Sequence, residues 1–75
     1  MVKVTSSNIE EIGYTPETKV LEVLFKAGGT YKYYDVPQEV YDDFVKAESV
    51  GKYFQANVKG VYEFIKEQKW KQEQM

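Results

Sequence analysis

The adjacent pair Gly28-Gly29, set between Val20-Leu21-Glu22-Val23-Leu24-Phe25 and Thr30-Tyr31-Lys32-Tyr33-Tyr34-Asp35, constrains the fold of this chain more than any other feature. Two residues free to adopt positive φ, flanked by β-branched and aromatic runs, have the chemistry of a tight antiparallel connection. A β-hairpin is therefore expected over residues 19–35. In its first arm Leu21, Val23 and Phe25 share one face, while Val20, Glu22, Leu24 and Lys26 share the other. Polar relief is only partial, so this strand is expected at the centre of a sheet. In the second arm Tyr31, Tyr33 and Asp35 point one way, and Thr30, Lys32 and Tyr34 the other. Upstream, Ile9, Ile12 and Tyr14 mark a further strand that a turn at Thr15-Pro16-Glu17-Thr18 closes.

The period changes at Val36-Pro37. Proline disfavours α conformation in the residue before it and suits the first helical turn, so a helix is expected from Pro37 to about Glu48. Asp35 and Gln38 have the spacing of a capping box, and Val40, Tyr41, Phe44, Val45 and Ala47 form an apolar stripe that should lie on the sheet. Ser49 reads as a second N-cap, Gly51 permits a close bend, and Val50, Phe54 and Val58 recur at four-residue steps. Val58, Val61, Tyr62 and Ile65 keep helical spacing past Gly60, whereas apolar periodicity is lost from Lys66 to Met75 except at Trp70. The expected fold is α+β: a three-stranded antiparallel meander covered on one face by two short helices, with a helical or frayed C-terminal tail over 66–75.

Seventy-five residues leave room for one small domain, and 43% hydrophobic content is enough for its core. The chain has neither Cys nor His, which removes the thiolate nucleophile, the usual zinc ligands and the default acid/base group near neutral pH. Neither an enzyme nor a metal or cofactor is expected. The pairs Glu10-Glu11 and Asp42-Asp43 diverge in direction on a strand or helix and read as solvated surface. Without a leader sequence, a disulfide framework or an apolar run near 18 residues, a cytoplasmic location is the expectation. The net charge of −2 hides a polarity: residues 37–48 balance to −3 and residues 49–75 to +2.

Several motifs in order carry a resemblance: Ser7-Asn8-Ile9, Ile12-Gly13-Tyr14, Leu21 to Phe25, Gly28-Gly29, Tyr31-Lys32-Tyr33, Val36-Pro37, Ala47 to Phe54 and Asn57-Val58-Lys59-Gly60. Over about residues 5–62 the chain resembles the KTSC domain. That family is named for a C-terminal appendage of some lysyl-tRNA synthetases and also occurs as free-standing bacterial and phage proteins, with a Tyr-x-Tyr pair at its centre. The resemblance implies the free-standing kind and carries no established activity, although the synthetase association suggests RNA. The chain departs from the family pattern in having no arginine, with Lys59 where the family commonly has one. That speaks against bidentate phosphate or guanine recognition.

The functional expectation is a non-catalytic binding module that takes RNA through a tyrosine-bearing strand and a lysine-bearing helix. Tyr31 and Tyr33 have two readings, as base-stacking platforms or as sheet core under the first helix. Under the core reading, which strand aromatics favour, Lys32 and Tyr34 become the exposed pair. Ser49 and Gly51 open the second helix beside Lys52, a position suited to an anion or to simple capping. Asn57 and Lys59 at its end either contact a phosphate or terminate the helix before Gly60. The alternative class is a protein-interaction or self-association module with no nucleic-acid role, to which the acidic pI near 5.1 lends weight.

Overall fold

Two tight turns lay the central strands side by side. In the computed structural model, which describes residues 1–67, the elements run β1 (Val2–Lys3), β2 (Ile9–Thr15), β3 (Val20–Phe25), β4 (Thr30–Tyr33), α1 (Gln38–Lys46), α2 (Val50–Asn57) and β5 (Phe64–Glu67). The five strands form one sheet in the order β1-β2-β3-β4-β5, each antiparallel to its neighbours. The hairpin holds as expected: Phe25 N–H donates to the Gly29 carbonyl, Gly28 N–H donates to the Phe25 carbonyl, and the glycines take φ of 94° and 123°. β3 lies at the centre. No helix among the described residues is long and apolar enough to cross a membrane.

Register sorts the side chains. The rows Ile12–Val23–Tyr31–Lys66 and Tyr14–Leu21–Tyr33–Phe64 share the inner face, and Gly13–Glu22–Lys32–Ile65 the outer one. A register shift between Ile9 and Glu11 adds a residue to β2, so Ile9 and Ile12 both reach the core although they are three apart. Both helices sit in the connection from β4 to β5 and close the inner face. Phe44 from α1 and Val50 and Phe54 from α2 join Leu21, Val23, Tyr33 and Val36 in one buried cluster. Ring contacts tie the layers together: Phe44 stacks on Tyr53 at 5.4 Å, and Phe54 meets Tyr33 edge-on at 5.8 Å.

Four expectations need correction. The sheet has five strands and not three, because β1 is only two residues long and β5 occupies a segment whose spacing reads as helical. α2 ends at Asn57, where the N–H groups of Val58 and Lys59 both donate to the Phe54 carbonyl, and Gly60 at φ 79° turns the chain away. Val61 and Tyr62 then belong to a turn, and Ile65, Lys66 and Glu67 to a strand, so the expected tail loses its first two residues to the sheet. Trp70 and the rest of that tail, 68–75, lie outside the described residues. The capping box also fails: Pro37 holds the N-cap with no side-chain bond and Gln38 is the first helical residue, which leaves Asp35 out of register. Finally, α1 stops at Lys46 and not near Glu48, because Ala47 is already extended.

Phe44 is completely buried, so Phe44→Ala is expected to cost about 3–5 kcal/mol, as read by urea denaturation. Lys19 is an exposed non-glycine residue at φ 58°, a conformation that costs an L-residue roughly 1–2 kcal/mol. Glycine removes that strain and adds about 0.5–1 kcal/mol of chain entropy cost, so Lys19→Gly is expected to stabilise by about 0.5 kcal/mol. Lys19→Val is expected to destabilise instead. Thermal midpoints of the two variants should fall on opposite sides of the parent.

Candidate functional site: an aromatic groove

The inner face is not covered evenly. Where β3, β4 and β5 run past α2, a groove of about 820 Å³ opens. Phe25, Tyr31, Tyr33 and Phe64 rise from the sheet, while Gly51, Phe54 and Gln55 of α2, with Lys59 and Gly60 just after it, form the opposite wall. Ser7 and Asn8 close one end, tied in place because the Ser6 hydroxyl accepts from the N–H groups of Asn8 and Ile9, both at 3.3 Å. The Asn8 carbonyl in turn accepts from Lys26 N–H at 2.9 Å, which fixes the backbone of Lys26 at the groove wall.

Its aromatic rings form one connected set. Tyr31 meets Phe25 edge-on at 5.0 Å and lies 5.4 Å from Phe64, and Phe64 is 5.2 Å from Tyr33. Exposure grades along this set. Tyr33 is 2% exposed at the core end, Tyr31 and Phe25 are half-buried, and Phe64 is 49% exposed. Contacts of this kind add about 0.5–1.5 kcal/mol each beyond area burial, so the rings hold one another in place.

The charges are one-sided. Lys26, Lys59 and Lys66 line the groove, and no Asp or Glu among the described residues does so. The acidic groups of α1 act elsewhere. The Tyr14 phenol is pushed above its ordinary value by burial and then by Asp42, and the Tyr53 phenol by burial and then by Asp43 and Tyr62. A cationic rim over apolar rings is suited to a ligand with flat apolar faces and negative charge.

Of the residues singled out from sequence, Tyr31, Tyr33, Gly51 and Lys59 come together here. Tyr33 takes the core position and Tyr31 the border of the groove. Lys32 lies on the outer face, where its ammonium pairs with Glu67 at 3.5 Å, and the exposed Tyr34 follows β4 outside the groove. Lys52 is exposed on α2 but does not line the groove. The Ser49 hydroxyl caps α2 by accepting from Lys52 N–H at 3.3 Å, and the Asn57 side-chain amide donates to the Tyr53 carbonyl at the helix end. Phe25, Lys26, Phe64 and Lys66 were not singled out from the sequence as site residues. The alternation of Phe64 and Lys66 with Ile65 and Glu67 after Gly60 is the signal that could have found two of them.

The family model of the KTSC domain matches residues 5–62. A KTSC domain protein of Yersinia pestis has a crystal structure similar to this one, with a TM-score of 0.84 and 38% identity, covering 87% of this chain and 92% of that one. A protein of Tsukamurella paurometabola is 48% identical over 59 residues, which is 79% of this chain and 88% of its own length. A lysine–tRNA ligase of Nostoc punctiforme is 33% identical over 64 residues, 85% of this chain but 11% of the ligase.

Burial, and secondarily Tyr31, pushes the Tyr33 phenol up to about 12. The unfolded chain ionises this group near 10, so its contribution to stability is whole below pH 10 and is lost as pH rises toward 12. Phenolate absorbance should therefore show Tyr33 as the last of the seven tyrosines to titrate, behind the smaller upward displacements of Tyr14 and Tyr53. Tyr33→Phe should abolish that late step and flatten the stability loss between about pH 10 and 12.

Proposed function

The chain belongs to the KTSC domain family, and on that premise we propose that it is a non-catalytic binding module whose groove takes a short single-stranded stretch of RNA. One observation carries this reading: aromatic faces and three lysines line the same groove with no carboxylate beside them among the described residues. Every base offers a π-face and every linkage a negative charge, so such a surface engages both halves of a nucleotide. A duplex hides its base faces in its own stack, which favours an unpaired strand. The similar segment within a lysine–tRNA ligase, an enzyme named for an RNA substrate, supports the same direction. Tyr31 and Phe64 provide the stacking faces, Lys26, Lys59 and Lys66 take phosphates, and Lys52 reaches the flanking backbone. A protein partner is the second reading, favoured by the exposed apolar side chains of Val61, Phe64 and Ile65 in and before β5.

Affinity should be modest, because lysines offer point charges without the bidentate fork of arginine and the chain is acidic overall. With about two or three phosphates engaged, the log–log salt dependence should have a slope of about −1.5 to −2. Lys59→Glu should weaken binding uniformly across sequences and make that slope shallower by about 0.7. Fluorescence anisotropy with short unstructured RNAs reads both quantities. Absence of saturable binding at low salt, or an unchanged affinity in Lys59→Glu, would move the protein-partner reading to first place.

A further inference from the structure

Lys66 stands directly opposite Tyr31 across the β4–β5 pair, and its ammonium lies over the Tyr31 ring, 5.7 Å from the centroid. This is the contact of a cation with the negative face of an aromatic quadrupole. Three other rings surround Tyr31: Phe25 edge-on at 5.0 Å, Phe64 at 5.4 Å and Tyr33 nearly parallel at 6.4 Å. A flat ligand that stacks on the face under the ammonium must therefore take the place of Lys66. The lysine itself is exposed, so its flexible stem can swing aside into water. Its sequence neighbour cannot compete for the charge: Glu67 points to the outer face and is held there by Lys32 at 3.5 Å.

We infer that Lys66 is a displaceable cap on Tyr31, and that the groove in consequence selects ligands that carry a stackable ring and a nearby phosphate together. The inference rests on the RNA reading and adds to it a rule of selection. An uncharged ring must break the cation–π contact with the electron-rich Tyr31 and offers the ammonium no charge partner in exchange. A nucleotide unit offers the displaced ammonium its own phosphate, and a charge-assisted hydrogen bond to phosphate is stronger than the contact that was lost. Lys66 thus opposes neutral aromatic ligands and assists anionic ones, whereas Lys59, which has no ring contact among the described residues, assists anionic ligands only.

Two short oligoadenylates of equal length separate these roles, one with phosphodiester linkages and one with uncharged methylphosphonate linkages. Lys66→Met keeps an unbranched side chain of nearly the same length and removes the charge. It is expected to tighten binding of the uncharged probe about two- to five-fold, the range set by a partly solvated cation–π contact, and to weaken the phosphodiester probe. Lys66→Gln should behave in the same way, which guards against a local effect of methionine in β5. Lys59→Met should weaken the phosphodiester probe without tightening the uncharged one. If the parent protein binds the phosphodiester probe but Lys66→Met and Lys66→Gln leave the uncharged probe unchanged or weaker, the cap is overturned and the RNA reading stands. If the parent protein does not bind the phosphodiester probe at all, both fall.

Discussion

Both backbone polar groups of Val36 are committed to the far end of the first hairpin, and the placement of everything after β4 depends on it. Its N–H donates to the Lys19 carbonyl at 3.0 Å, and its carbonyl accepts from the Tyr14 hydroxyl. The side chain between them is fully buried. These bonds require left-handed backbone at Lys19 and Asp35, both at φ 58°, a strain of roughly 1–2 kcal/mol at each that persists only because the surroundings over-determine it. With Val36 held there, Pro37 starts α1 over β2, and Tyr41 stacks on Tyr14 at 5.3 Å. The extended Ala47 and the Ser49 cap then bring α2 round so that Phe54 meets Phe25 and Tyr33.

The groove follows from where α2 stops. Its apolar face covers the sheet only as far as Val58, and the turn at Gly60 sends the chain back to the edge of β4 before the aromatic set is closed over. Among the described residues the rings therefore continue outward from the core uncovered. Rings left at such a border need partial cover, and lysine supplies it, because the methylene stem lies along apolar surface while the ammonium stays in water. The same cover concentrates positive charge at the groove while Glu39, Asp42 and Asp43 keep α1 acidic. The modest net charge is a sum of two local fields and describes neither.

Legibility in the sequence tracked the locality of each signal. The central hairpin, the position of β3 in the sheet and the Ser49 cap are written in residues next to one another, and each was readable. β5 was not, since a four-residue strand gains its stability from pairing with Tyr31 and Tyr33, which lie more than thirty positions upstream, and its own spacing also suits a helix. The capping box failed for a related reason: left-handed Asp35 is set by the distant bonds of Val36, which no local spacing reports. Phe64 and Lys66 were missed in the same way, because they join the groove only through the β4–β5 register.

Of the two readings of the Tyr-x-Tyr pair, core or binding platform, the core one holds for Tyr33, and the platform remains a proposal for Tyr31 alone. Period-2 alternation puts Tyr31 and Tyr33 on one face, but burial along that face is graded by the end of α2, so one ring is sealed and its neighbour stands at the border. The sealed ring gives the border ring its value. Tyr31 is held between Tyr33, Phe25 and Phe64 and gives up little rotamer freedom when a flat ligand settles on it. An immobilised side chain otherwise costs about 0.5–1.5 kcal/mol on binding. A surface with few contacts and no arginine depends on avoiding that loss, which is why the proposed stacking position falls beside a buried aromatic and not on the free Tyr34.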